Sequence, residues 1–219
     1  MAKAFLILKK DLLQEFRTRF AVNAILLFAV VTLAAVSFSI GVFSAGQNIL
    51  AALLWIIIFF SSMSGLSHIF VREEEMHTSA ALKLSAPPAS IFLGKLFFNI
   101  VLLTALEIVI VPLFIVLMGL DVKSSTIFIA GLVFGSIGLS AGGTMVAAII
   151  SKSSSKGALF TVLSFPILLP VLISGINAAK KSLQTAEFSV ALPELQTLIS
   201  FDVVIITASL LLFDFVWNE

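Results

Sequence analysis

The side chains best suited to chemistry in this sequence are acidic residues and histidines. They are the run Glu73, Glu74 and Glu75, the isolated Glu107, and the two histidines His68 and His77. Carboxylates and imidazoles can transfer protons or bind metal ions, but here they form no hydrolytic triad, paired-carboxylate or metal-ligand spacing. Cysteine is absent, so disulfides and thiolate metal sites are excluded as well. The sequence therefore predicts a non-catalytic protein without a metal centre.

A phosphate-binding loop for ATP is also missing. That loop requires Gly-x-x-x-x-Gly-Lys followed by Ser or Thr. The only Gly-Lys pair is Gly94-Lys95, which is followed by Leu96 and has Ala89 where the first glycine belongs. If ATP drives this protein, a partner subunit must hydrolyse it.

The composition excludes a cytosolic enzyme. Of the 219 residues, 60% are apolar and only 11% are charged, whereas soluble domains have about 25% charged residues. The formal net charge is +1, which offers no basic face for nucleic acid. The chemistry-bearing residues must therefore be positioned by helices in a lipid bilayer.

Six apolar stretches predict an all-α integral membrane protein, with residues 1–219 as one transmembrane domain. No charged residue occurs between Arg19 and Arg72, a length that fits two spans joined by a turn within Gly41 to Asn48. Asp202 and Asp214 lie about one turn inside the ends of the last span, from which acidic side chains still reach the interface. The predicted spans cover about 20–43, 49–71, 96–118, 126–150, 158–177 and 198–216.

The first 19 residues predict an amphipathic helix lying in the membrane interface. Phe5, Leu8, Leu12, Phe16 and Phe20 recur at spacings of three or four, and the basic side chains lie elsewhere around the helix, toward lipid headgroups. A plain basic orientation signal is the alternative. Ten of the 13 Lys and Arg residues fall on one side when the N-terminus is placed in the cytoplasm, so both termini are predicted to be cytoplasmic.

Two spans contain residues that affect helix packing and shape. The fourth has one face of glycines, which predicts close helix packing or, alternatively, a smooth wall along a translocation path. These glycines are Gly131, Gly135, Gly138 and Gly142. The fifth contains Pro166 and Pro170, followed by Gly175. Each proline removes a backbone donor and bends a helix, so a moving gate helix and a static kink both fit.

Other polar and aromatic residues lie within the spans. An ionised Glu107 near the middle of span three would cost about 2.5–3.5 kcal/mol. We therefore expect it to face other helices, either as a point on a substrate or proton route or in a hydrogen bond with a neighbouring Ser or Thr. Trp55 and Trp217 lie toward the ends of their helices, as is typical of aromatic residues at the membrane interface.

The segment 72–95 between spans two and three predicts a coupling loop. Its acidic run precedes a short helix-prone stretch, 79–84, which the pair Pro87-Pro88 ends. A rigid piece joined directly to two spans is what a soluble motor needs in order to move a membrane subunit. The residues predicted to contact such a partner are Glu73, Glu74, Glu75, Leu82, Leu84 and Pro87.

The same segment resembles ABC-2-type permeases of ABC transporters. The matching parts are Arg72-Glu73-Glu74-Glu75, Leu82 to Pro87, and Leu93-Gly94-Lys95, and Thr78 and Ala81 stand where relatives usually have Gly and Glu. The stretch from Phe165 to Gly175 is similar, more narrowly, to the heme exporter B (CcmB) family.

This resemblance implies a bacterial inner-membrane permease for heme export or delivery in c-type cytochrome biogenesis. It implies two copies of this chain with an ATP-binding subunit (CcmA-like) and a heme-handling membrane partner (CcmC-like). Heme is then the handled species, ATP acts through the partner, and no cofactor is expected to be bound directly. The alternatives are an ABC-2 exporter of a lipid, polysaccharide or drug, and a non-transporting scaffold for heme-handling subunits.

Overall fold

The computed structural model describes residues 2–40, 45–151 and 156–218. Within these ranges the chain is helical and contains no strand. The α-helices are α1 (Ala2–Thr18), α2 (Phe20–Ile40), α3 (Gln47–Leu66), α4 (His68–Glu75), α5 (Ser79–Ser85), α6 (Pro88–Met118), α7 (Ser125–Ile150), α8 (Lys156–Gln184) and α9 (Leu192–Asn218), with a 3-10 helix (Phe188–Ala191) before α9.

The prediction of six spans is confirmed in number and order. Six helical segments are long and apolar enough to cross a membrane. They are Phe20–Ile40, Gln47–Glu75, Pro88–Met118, Ser125–Ile150, Leu159–Gln184 and Phe188–Trp217. The chain is therefore a multi-pass membrane protein.

Several helices extend beyond the predicted spans. Helix α6 begins at Pro88, α8 continues to Gln184, and α9 begins at Leu192. Hydropathy marks only the apolar part of a helix, and the polar ends remain helical outside it. The coupling loop is correspondingly shorter than predicted, because α4 continues the second span to Glu75. The predicted turn residues Gly41 and Ser44 and the end of span one at 41–43 lie outside the described residues.

Helix α7 lies at the centre of the bundle and packs against α6, α8 and α9. Its glycine face allows this close approach. A methyl group on Gly131 would lie 3.3 Å from the Cβ of Ala178 on α8, and one on Gly138 would lie 2.7 Å from Oδ1 of Asp202 on α9. Gly142 packs against Leu168 in the same way. The glycine stripe thus lies in the contacts of α7 with α8 and α9, as close helix packing requires.

The two tryptophans are buried against other helices, so their rings pack inside the protein and do not face lipid headgroups. The ring of Trp55 fills a notch between α7 and α8, where a methyl group on Gly175 would lie 2.6 Å from the ring and one on Gly135 would overlap it. The ring of Trp217 stacks on Phe213 at 5.6 Å between centroids. Hydropathy and position along a helix do not reveal such notches, since a neighbouring helix provides them.

Candidate functional site: a charged coupling module

Helix α1 lies directly against the start of α6, and Gly94 makes this possible. A methyl group at Gly94 would lie 2.8 Å from the Cβ of Ile7 and 2.9 Å from the carbonyl oxygen of Ala4. Because any larger residue would separate the two helices, this contact explains the glycine of the Leu93-Gly94-Lys95 motif. The face of α1 turned inward carries Asp11 and Glu15, which are buried. The exposed face carries phenylalanines, including Phe5 and Phe16, as the predicted interfacial helix requires.

Four charged side chains from three segments meet beneath α1. The Nζ of Lys95, which is only 1% exposed, lies 2.8 Å from Oε1 of Glu73 and 3.1 Å from Oδ2 of Asp11. The Nζ of Lys10 lies 2.5 Å from the same Glu73 oxygen and 3.1 Å from Oδ1 of Asp11. Two ammonium groups thus balance two carboxylates. We call Lys10, Asp11, Glu73 and Lys95 the ion cluster.

The electrostatics of Lys10 follow from this arrangement. Burial by itself would lower the pKa of Lys10, but the carboxylates of Asp11 and Glu73 outweigh that effect and raise the pKa above its ordinary value of 10.5. The Lys10 side chain is 45% exposed, so it can still reach water. Lys95 is not exposed in this way, and the carboxylates of Asp11 and Glu73 are its partners inside the protein.

The turn between α4 and α5 is attached to the ion cluster through Thr78. Its hydroxyl donates a 2.5 Å hydrogen bond to Oε2 of Glu73, and its backbone N–H donates to the Glu73 carbonyl oxygen at 2.9 Å. His77 has a φ of 53°, a left-handed conformation that few non-glycine residues adopt. The start of α5 is therefore held in place by the carboxylate that also anchors α1 and α6.

Helix α5 exposes only part of its surface. Leu82 is buried, whereas Leu84 is 91% exposed. The Nζ of Lys83 lies 5.6 Å from the centroid of the Trp217 ring, and the Nζ of Lys3 donates to the Ser85 carbonyl oxygen at 3.0 Å. Residues near both ends of the chain thus hold helix α5 against the rest of the protein. We call the ion cluster together with α5 the coupling module.

This geometry corrects the predicted partner contacts. Glu73 and Leu82 are buried inside the protein, so they position α5 and do not form its surface. The other predicted residues, Glu74, Glu75, Leu84 and Pro87, lie at or near the surface. The sequence analysis missed Asp11, Lys95 and Thr78. Asp11 could have been identified as an acidic residue in a helix with mostly basic charges, and Lys95 as a basic residue in an apolar helix.

A cleft of about 420 Å³ opens between α1 and the α4–α5 segment, next to the ion cluster. Lys10 and Arg72 supply positive charge to its lining and Glu73 supplies negative charge, while the exposed Met76 and Ala81 supply apolar surface. Such a cleft beside the exposed tip of α5 can receive a side chain of another protein.

Within the membrane-spanning part, Glu107 has a partner. The hydroxyl of Ser136 on α7 donates to Oε1 of Glu107 at 2.5 Å, which is the hydrogen bond that one reading of the sequence expected. On α8, Pro166 and Pro170 both lie on the exposed face, and the helix continues through them. Gly175 faces the opposite way and packs against the ring of Trp55. The gate role of the prolines remains a prediction.

The histidines do not contribute to the ion cluster. His68 packs edge-on against Phe20, with ring centroids 5.3 Å apart, and His77 occupies the turn before α5. Among the residues that the structure describes, no three His, Asp or Glu side chains are grouped so as to hold a metal ion.

Six apolar spans, an amphipathic helix ahead of the first, and a short supported helix between the second and third define an ABC-2-type membrane permease. The chain belongs to the CcmB family: the family model described as "CcmB protein" matches residues 2–215. This is the family of the permease component of a heme exporter in cytochrome c maturation. Among curated proteins, none matches the chain.

Proposed function

We propose that this chain is the permease subunit of an ATP-driven complex that exports or delivers heme for c-type cytochrome assembly. The complex contains two copies of the chain, an ATP-binding subunit (CcmA-like) and a heme-handling membrane partner (CcmC-like). It resides in the bacterial inner membrane with both termini cytoplasmic. Family membership supports the heme pathway, and the coupling module supports the use of an external motor.

The observation that carries the proposal is the exposed tip of α5. Leu84 exposes almost its whole apolar side chain to solvent. Helix α5 itself is fixed by the contacts of Lys3 with Ser85 and of Lys83 with Trp217, and by the ion cluster. An exposed leucine on a fixed support would gain stabilisation by burying its apolar surface in a pocket of a partner. Since α5 connects directly to the second and third spans, a displacement of this tip reaches the membrane-spanning helices.

The docking role of α5 is tested by a substitution at its tip. In cells that lack the chromosomal gene, a plasmid-borne Leu84→Asp variant should lose both co-purification of the ATP-binding subunit and heme-stained c-type cytochromes. Ala186→Asp, which adds the same charge in the connection after α8, is the matched control and should retain both. Retained co-purification and normal cytochromes with Leu84→Asp would show that the motor does not dock at this tip.

The substrate is tested separately with the deletion strain itself. Loss of covalently bound heme from all c-type cytochromes, restored by the wild-type gene, supports the heme pathway. Normal cytochromes in a strain with no second copy would identify an exporter of another substrate. The scaffold alternative is tested with a variant of this chain that assembles with the ATP-binding subunit but no longer stimulates its ATP hydrolysis. Normal cytochrome maturation in that variant would show that the chain acts as a scaffold.

A further inference from the structure

A cavity separate from the coupling module opens between α1, α2 and α6. Its volume is about 420 Å³, within the range of about 300–1,000 Å³ found for ligand sites. Most of its lining is apolar, with Leu12 and Phe16 from α1 and Phe98, Val101 and Ala105 from α6. None of these residues belongs to the ion cluster or to the exposed tip of α5.

The position of the cavity suits one acyl chain. The wall on α6 extends from Phe98 to Ala105, a rise of about 10 Å along the helix axis into the apolar part of the third span. Helix α1 covers the other side, and its exposed phenylalanines place it in the interface between headgroups and acyl chains. The cavity therefore runs from the interface into the hydrocarbon region.

Two opposite charges line the same cavity at the junction of α1 and α2, namely Arg19 and Glu15. The junction holds both residues in place. Arg19 has a φ of 54°, its N–H donates to the Glu15 carbonyl oxygen at 2.6 Å, and Oε1 of Glu15 accepts from the N–H of Val22 at 2.9 Å. A guanidinium group binds phosphate well, and a carboxylate binds an ammonium group.

We propose that this cavity is a binding site for a phospholipid with an ammonium headgroup, of which phosphatidylethanolamine is the simplest. One acyl chain lies along α6 from Phe98 to Ala105. The phosphate pairs with Arg19, and the ammonium group faces Glu15. Because the two lining charges sum to zero, they match a zwitterionic headgroup better than an anionic one. A lipid bound here fills the gap between α1 and the bundle, which supports the helix that carries half of the ion cluster.

The test is native mass spectrometry of the delipidated, detergent-solubilised protein. The probes are phosphatidylethanolamine and phosphatidylglycerol with identical chains. We expect the wild-type protein to bind phosphatidylethanolamine at least about fivefold more tightly than phosphatidylglycerol, which corresponds to about 1 kcal/mol. Equal affinity, or preference for phosphatidylglycerol, would overturn the headgroup assignment.

Two variants and two controls tie the binding to this cavity. Arg19→Gln should weaken phosphatidylethanolamine binding about fivefold, whereas Arg17→Gln, which removes the same charge from a residue that does not line the cavity, should not. Ala105→Phe should fill the chain site and lower the occupancy of both lipids, whereas Ile129→Phe on the exposed face of α7 should not. Circular dichroism verifies that each variant is folded. If folded Ala105→Phe binds both lipids like the wild type, the cavity is only part of the general lipid contact surface and the proposal is wrong.

Discussion

Replacement of Lys95 by glutamine should destabilise the protein far more than the same replacement of Lys10. Both ammonium groups contact Asp11 and Glu73, at 2.5–3.1 Å, so a count of ion pairs predicts similar effects. The environments differ, however, because the Lys95 side chain is 2% exposed and that of Lys10 is 45% exposed.

The magnitudes follow from burial. Removal of Lys95 leaves two buried carboxylates with one partly solvated partner, and breaking a buried pair costs about 3–5 kcal/mol. The Lys10 ammonium is 45% exposed although its partners are buried, so water screens its attraction to them toward the value of about 1 kcal/mol found for exposed pairs. For a protein of this size, 1 kcal/mol corresponds to about 2–4 °C in Tm. We therefore expect a decrease of about 6–20 °C for Lys95→Gln and of at most about 4 °C for Lys10→Gln.

The assay is thermal unfolding of the purified protein in one detergent at pH 7, monitored by circular dichroism. A Lys95→Gln variant that also carries Glu73→Gln has balanced charges again, since Lys10 then faces Asp11 alone. This double variant should recover most of the loss, which a double-mutant cycle would record as a coupling energy. Equal effects of the two lysine variants, or a double variant no more stable than Lys95→Gln alone, would refute the reasoning from burial.

Three further predictions follow from single contacts. Gly94→Ala should cost about 1–3 kcal/mol through overpacking against α1, whereas Gly46→Ala, whose methyl group would meet nothing within 4 Å, should cost less than about 1 kcal/mol, since only the N-cap of α3 changes. The raised pKa of Lys10 contributes stability that is complete below its ordinary value of 10.5 and is lost at higher pH. The Tm of the wild type should therefore fall relative to that of Lys10→Arg as pH rises through the pKa of Lys10 in the folded protein, and parallel curves would contradict this. Glu107→Gln should fold normally, and full cytochrome maturation in that variant would exclude a proton route through Glu107.

The sequence predicted the number and order of the spans because a bilayer imposes length and hydropathy on each helix independently. It also predicted α5, whose ends are marked by polar residues and by the proline pair. It did not predict which residue of the acidic run 73–75 is buried against α6. Glu73 and Glu74 are neighbours in the chain, yet only Glu73 meets Lys95, since the rotation of α4 against α6 is set by packing. One-dimensional patterns contain no such information.

The ion cluster also limits the use of charge reversal in the acidic run 73–75 as a test of partner docking. Reversal of Glu73 would place a third positive charge beside Lys10 and Lys95, so its effect on maturation would reflect misfolding of the module as much as loss of docking. A substitution at Glu74 or Leu84 leaves the cluster intact. Experiments on partner coupling should therefore use the surface residues.

Helix α6 connects the coupling module with the interior of the membrane. Lys95 and Glu107 lie on this helix about 18 Å apart along its axis. A displacement of α5 acts on α6 through the Pro87–Pro88 connection and through the Glu73–Lys95 pair, both at the same end of the helix. The hydrogen bond between Glu107 and Ser136 joins the far part of α6 to α7, so movement of α6 against α7 must stretch or break it. Coupling by this route requires an element with two arrangements. A structure of the chain bound to an ATP-hydrolysing partner would test this, because the distance between Glu107 and Ser136 should then differ from the 2.5 Å seen here.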